Sequence, residues 1–341
     1  MSGAGGKVGT IDADQREAAN AGDGSHADLT AVMVAAPAPA PDPWHALRQH
    51  TPARIALGRS GASLPTAEVL RFAGAHAQAR DAVHEALDVA ALDLALRAAG
   101  WAPVVARSRA ATRADFLRRP DLGRRLDEAS AARLADLGAL SDRAALADGA
   151  DLADPADLVG MDAGRAAILP TPATAPLLVV VVADGLSARA AQSHALPTLQ
   201  HLRTALDVAG DIRLRWGPVV IATQARVALA DEIGALLGAA LVLMLLGERP
   251  GLSSPDSLSG YLTFGPHIGR SDAERNCVSN IRPAGLSPPL AAARLAWLVR
   301  EALRRRLSGV ALKDDSAQAL IGGSADTSPP GPARIGPIRP P

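Results

Sequence analysis

Two uninterrupted apolar runs constrain the fold most. Residues 177–183 read LLVVVVA and residues 240–246 read ALVLMLL. Neither run alternates with polar residues, so neither is a strand with one wet face. Both fall well short of the roughly 20 apolar residues that a membrane helix needs. β-Branched residues dominate the first run. Asp184-Gly185 stops it, and Gly247-Glu248-Arg249-Pro250-Gly251 stops the second. A short apolar run stopped this sharply reads as a strand buried on both faces, and such a strand needs a cover on each side.

The neighbouring sequence supplies the covers. PVVIA (218–222) is a third apolar strand and GYLTF (260–264) a fourth. Between them DEIGALLG (231–238) places Ile233, Leu236 and Leu237 on one helical face. SPPLAAARLAWLVREALRRR (287–306) runs Leu295, Leu298, Val299 and Ala302 along another. Strands alternating with helices predict an α/β domain over 176–316, with a parallel sheet covered on both faces. Residues 44–139 read as a small helical N-terminal domain. Thr66 after Pro65 is placed as an N-cap, and Val69, Phe72, Ala73, His76 and Ala77 recur at helical spacing. Asp121 is placed to cap a second helix, with Leu122–Leu126 and Leu134–Leu137 in period. Residues 140–175 are dominated by alanine and aspartate and read as a linker or variable insertion. Residues 1–43 and 317–341 are small, polar and proline-rich and read as disordered.

Charge excludes some partners. Lys+Arg and Asp+Glu are both 35, which gives no electrostatic case for nucleic acid or an anionic membrane. The single cysteine, Cys277, cannot form an internal disulfide, and the first residues lack the apolar run of a signal peptide. These features lead us to expect a soluble, cytoplasmic protein.

Functional groups on parallel sheets gather at the C-terminal ends of the strands. Asp184 and Glu248 both stand there. Two readings of them are open. They form a carboxylate pair for acid–base chemistry in a free-standing α/β enzyme. Alternatively, Asp184 caps its own turn or the next helix, and Glu248 pairs with Arg249 or a neighbour. Gly247 and Gly251 bracket Glu248 and Arg249, which allows tight turns and close approach of a ligand. SDAERNCVSNIRP (271–283) has few helix or strand signals and many hydrogen-bonding groups, so it reads as a loop suited to a large polar-edged ligand or a partner. No base is adjacent to Cys277, which makes it a small packing residue rather than a nucleophile. RRPDLGRR (118–125) is either a phosphate site or a solvated or interface helix start. The eight histidines are scattered, and His84-Glu85 lacks the second histidine of a zinc helix, so no metal site is expected. No catalytic residue is assigned.

Taken together, VADGLSARA (182–190), RVALADEIGALLGA (226–239), LLGERPGLSSPDSLSGYLTF (245–264), SDAERNCVSNIRPAGLS (271–287) and LSGVALKDDS (307–316) resemble the small (light) subunit of ethanolamine ammonia-lyase. Residues 51–87 and 116–128 resemble that subunit's helical N-terminal domain, and the likeness spans roughly 50–128 and 176–316. The resemblance implies a carbon–nitrogen lyase that converts ethanolamine to acetaldehyde and ammonia with adenosylcobalamin. It implies a TIM-barrel large subunit that carries the reacting groups, in a hetero-oligomer of six of each chain. This chain would be inactive alone and would supply a Rossmann-like wall of the cofactor site. Carried over by motif, the cobalamin contacts fall on Val227 in ARVAL, Glu248 in GERPG and Cys277 in RNCVSN. Cobalamin needs apolar surface, acceptors for its amide or ribose hydrogens, and a small side chain where its disc comes close. No Asp-x-His-x-x-Gly is present, which fits a family that keeps the cofactor's own base on cobalt, so Cys277 is not read as a cobalt ligand. A free-standing cobalamin-binding or storage module is the alternative of another class. Some members carry an amphipathic N-terminal helix for bacterial microcompartment targeting, and residues 1–20 lack its apolar stripe.

Overall fold

The computed structural model describes residues 43–148, 175–210 and 212–316. The segments 1–42, 149–174 and 317–341, where disordered ends and most of an insertion are expected, lie outside the described residues. The chain divides after Ala56. In the first unit, Pro43–His50 is a short 3-10 helix.

From Leu57 onward, the elements are α1 (Thr66–His84), α2 (Val89–Ala98), β1 (Pro103–Arg107), α3 (Arg113–Arg118), α4 (Glu128–Asp148), β2 (Leu177–Ala183), α5 (Ala188–Ala209), β3 (Arg215–Thr223), α6 (Leu229–Leu236), β4 (Leu241–Gly247), β5 (Leu258–Phe264), β6 (Arg275–Ile281) and α7 (Pro288–Arg305). The strands form one sheet in the order β1-β3-β2-β4-β5-β6. β1, β3, β2 and β4 are parallel. β5 and β6 continue the sheet antiparallel. The expected parallel sheet is therefore met over four strands and corrected over two. The reason is the short connection 248–257, which can turn a hairpin but cannot hold a crossover helix.

The two apolar runs lie where they must. Every residue of β2 and of β4 is buried. Leu178, Val180 and Val182 pack with Leu243 and Leu245 toward α5 and α7. Val179, Val181 and Ala183 pack with Val242 and Met244 toward α6 and Leu134 of α4. Each fully buried Val or Leu stabilises the fold by about 1.5–3 kcal/mol. The winding reverses at β2: α5 leads to β3 on one side, and α6 then leads past β2 to β4 on the other. The strand ends Asp184 and Glu248 flank this reversal, where ligands of such sheets bind.

The segment read as helical also builds the sheet, since β1 pairs with β3. β1 is an edge strand, and α4 closes its outer side. The Arg107 N–H donates to Ser130 Oγ at 3.0 Å, and the Arg133 guanidinium donates to the Val105 carbonyl at 2.6 Å. Thr66 is the first residue of α1, and the cap position before it is Pro65, which makes no side-chain cap bond. α1 buries only Ala82, and it leaves Val69 and Phe72 about half exposed at 49% and 48%. The helix expected from Leu122 is interrupted. Leu122–Arg124 is a 3-10 turn, Leu126 bridges to Ser108, and α4 begins at Glu128. Asp121 makes no cap bond there and instead pairs with Arg119.

Candidate functional site

Asp184 leaves β2 and is buried, at 3% exposure. Its Oδ1 accepts from the Gly185 N–H at 2.8 Å and the Ala225 N–H at 3.1 Å. Its Oδ2 accepts from the Gln224 N–H at 2.8 Å and lies 3.7 Å from Arg113 Nη1. Burial pushes its carboxyl above the ordinary range, against the pull of these main-chain donors and of Arg113. Of the two readings, Asp184 therefore takes the structural one. It pins the end of β3 and the loop 224–227, in which Gln224 holds a left-handed φ of +54°. Val227 follows on this loop and packs, partly buried, against the α6 side of the sheet.

Gly247 is where the chain crosses itself most closely. The Leu186 N–H donates to its carbonyl at 2.9 Å. A Cβ at Gly247 would sit 2.0 Å from the Ser187 carbonyl oxygen and 2.6 Å from that of Asp184. The small residue thus admits the protein's own backbone, not a ligand as the bracketing glycines suggested. The Ser187 hydroxyl accepts from the Ala190 N–H to cap α5, and it donates to the Pro255 carbonyl at 2.8 Å.

Glu248 opens the hairpin between β4 and β5. Its N–H donates to the Ser257 carbonyl at 2.8 Å. Its carboxylate accepts from the hydroxyls of Ser257 and Ser259, one on each oxygen. The far end of the hairpin is held by His194, whose Nε2 lies 3.1 Å from Asp256 Oδ2, and by Arg282, which donates to the Ser253 carbonyl at 3.2 Å. Glu248 follows Val242, Met244 and Leu246 in alternation, so it shares their face of the sheet.

Cys277 stands on β6 opposite Tyr261 of β5. The segment expected to be a loop is thus a 3-10 turn, Asp272–Glu274, followed by a strand. Cys277 and Ser279 are exposed, and Val278 between them is buried, so β6 turns one polar face outward. The Cys277 thiol lies 3.9 Å from Ser259 Oγ. Although the residue is exposed, its neighbours desolvate the sulfur enough to push its thiol above the ordinary value. Such a thiol is protonated at neutral pH and is a poor nucleophile. Tyr261 is raised to about 12, first by burial and then by Cys277. The structure therefore joins Glu248 to Cys277 through Ser259, with Tyr261 beside them. Val227 lies on the same face but on a different loop.

Sequence reasoning missed Ser257, Ser259 and Tyr261. Their signal was the alternation of Ser259 and Tyr261 with Gly260 and Leu262, which puts both on the Glu248 side. A cavity of about 700 Å³ opens elsewhere, at the ends of β1 and β3, and is lined by Arg107, Arg109, Arg133, Asp127 and Asp184 among others. Glu248 is absent from its lining, so the two carboxylates do not converge there. Among the described residues no group of three His, Cys, Asp or Glu side chains is placed to hold a metal ion. Among them, too, no helix is long and apolar enough to cross a membrane.

Comparison with known proteins agrees over most of the chain. The family model for ethanolamine ammonia-lyase light chain (EutC) matches residues 41–149 and 161–313. The ethanolamine ammonia-lyase small subunit of Bradyrhizobium diazoefficiens is 50% identical over 272 residues, which cover 80% of this chain and 90% of that protein. The small subunit from Azotobacter vinelandii is 49% identical over 285 residues, 83% of this chain and 92% of its own length. The one from Rhodopseudomonas palustris is 48% identical over 285 residues, with coverages of 84% and 95%.

Proposed function

This chain belongs to the ethanolamine ammonia-lyase light-chain family, a lyase component, and from that premise we propose that it forms one wall of an adenosylcobalamin site against a large subunit. The observation that carries this reading is the polar face of β5 and β6. There Cys277 is exposed, Glu248 and Tyr261 are half-buried beside it, and the buried Ser259 hydroxyl joins Glu248 to the thiol, next to the Val227 loop.

The residues present fit the group. Cobalamin is a broad disc with amides on its rim, so an open sheet face suits it better than a closed pocket. Val227 offers apolar surface at the strand ends. The Glu248 carboxylate accepts from two hydroxyls and has lone pairs left for a third donor, such as an amide or ribose hydrogen. Cys277 is small, exposed and protonated, so a flat group can approach β6 there without meeting a charge. When bound, adenosylcobalamin supplies the cobalt–carbon bond whose homolysis starts the radical chemistry on ethanolamine. This chain's part is to orient that group and to keep water from it, while the large subunit holds the substrate.

The test uses the complex of both chains. Glu248→Ala should raise the Kd for adenosylcobalamin about tenfold, as loss of a hydrogen bond to a charged acceptor does. An unchanged Kd removes Glu248 from the site. The chain without the large subunit should release no ammonia from ethanolamine, and measurable release would end the proposed division of labour.

A further inference from the structure

Positive charge gathers beside the Val227 loop, and of it only Arg113, through Asp184, enters the contacts above. Arg226 immediately precedes Val227, and Arg249 immediately follows Glu248. The Arg226 guanidinium lies over the Phe116 ring, 4.2 Å from its centre, and donates through Nη2 to the Phe116 carbonyl at 2.9 Å. Its buried Nε has no hydrogen-bond partner. The Arg226 main-chain N–H donates to the Gly123 carbonyl at 2.8 Å, which brings the 3-10 turn carrying Arg124 alongside. Arg113 stacks on the same ring at 4.7 Å, and its Nη2 is also buried without a hydrogen-bond partner. The nearby acid is Asp184, whose oxygens serve three main-chain donors and whose charge faces Arg113 at 3.7 Å, which leaves one carboxylate among four arginines.

The cluster is electrostatically uncomfortable. Arg226 is pushed below its ordinary value first by desolvation and then by the like charges of Arg124 and Arg249. Arg124 and Arg249 are exposed and make no ion pair among the described residues. Like charges that act on one another in this way are relieved by an anion among them, and arginine forks match phosphate oxygens. We propose that Arg124, Arg226 and Arg249 seat a phosphodiester, the one in the nucleotide tail of adenosylcobalamin. The proposal rests on the reading of Val227 and Glu248 as cofactor residues. Arginines adjoin both of them in the chain, and the nucleotide tail is where the cofactor carries its phosphate.

The experiment measures three things on the complex with the large subunit: the Kd for adenosylcobalamin, its dependence on salt concentration, and assembly of the two chains. Arg226 is left intact because it packs on Phe116. The double variant Arg124→Gln/Arg249→Gln should raise Kd about tenfold. It should also flatten the salt dependence, because fewer charges meet the phosphate. Arg124→Lys/Arg249→Lys, which keeps the charge but not the fork, should restore the salt dependence and only part of the affinity. Glu248→Ala should raise Kd and leave the salt dependence as it was. An unchanged Kd in the glutamine variant overturns the arginine seat, and so does a raised Kd with unaltered salt dependence. Impaired assembly also overturns it and assigns the arginines to a carboxylate of the partner chain. If the glutamine variant behaves as expected and Glu248→Ala changes nothing, the seat stands and the reading of Glu248 fails.

Discussion

Single atoms decide much of this site. At Gly247 a methyl group would overlap the Ser187 carbonyl oxygen at 2.0 Å, and backbone on both sides leaves little room to yield. Gly247→Ala should therefore cost at least about 2–3 kcal/mol, read as a lower urea midpoint with unchanged slope. Tyr261 gives a second prediction, because it is the only tyrosine in the chain. Its hydroxyl titrates at about 12 in the folded protein, against an ordinary value of 10. Below pH 10 it is neutral in both states and contributes nothing to pH dependence. Between pH 10 and 12 the unfolded chain loses the proton and the folded chain keeps it, so stability falls as pH rises through that window. Tyr261 is only partly buried, and solvent screening reduces the effect to about 1 kcal/mol. Tyr261→Phe should remove that share of the alkaline loss in denaturant titrations across the window. An identical alkaline limb in both proteins would mean that Tyr261 is not held as described.

At the scale of elements, the α6 start and the β6 start are locked by one buried ion pair. Asp231 is 1% exposed, the Arg275 side chain is 2% exposed, and Arg275 Nη2 donates to Asp231 Oδ2 at 2.7 Å. Arg275 also reaches Thr263 Oγ1 and the Arg270 carbonyl. Asp231→Ala leaves the buried guanidinium with only the exposed Asp272, 3.5 Å from its Nε, as counter-charge and should cost about 3 kcal/mol in equilibrium unfolding. A loss of no more than about 0.5 kcal/mol, the scale of neutral surface changes, would contradict the burial. β2 and β4 were legible because burial on both faces leaves no polar residue to interrupt them. α7 was legible because Leu295, Leu298 and Val299 hold one period, and all three are buried. β6 was not legible. It is an edge strand with one open face, so Cys277 and Ser279 point outward, and Asn276 bonds the Gly309 and Leu312 carbonyls. Tertiary pairing makes it a strand, and its composition resembles a loop. β1 was hidden for a related reason: it is only five residues long and relies on α4 side chains to close its edge. Of the candidate site, Asp184 and Glu248 were legible as strand ends. The choice of Val227 and Cys277 came from family resemblance, since neither is marked by pattern or spacing.

For the whole molecule, the sheet is covered unevenly, and this shapes what the chain does with a partner. The central strands carry helices on both faces, while on the α6 side the outer strand leaves Cys277 and Ser279 exposed. On the proposed function this uncovered face is the cofactor wall, which the large subunit closes. Cys277 reports that closure directly, because it is the only thiol in the chain and it is exposed. Its raised thiol makes alkylation by iodoacetamide slow at neutral pH, and the rate should rise with pH as the thiolate forms. Addition of the large subunit with adenosylcobalamin should slow alkylation of this chain at least about tenfold, since a covered thiol reacts only when the complex opens. The large subunit without cofactor should protect less, because the disc itself covers β6. Mass spectrometry of this chain over time reads all three conditions on one residue. Full protection by the large subunit without cofactor would place Cys277 under protein rather than under the disc. Equal rates in all three conditions would leave the face of β5 and β6 outside the interface and move the cofactor wall elsewhere on the sheet.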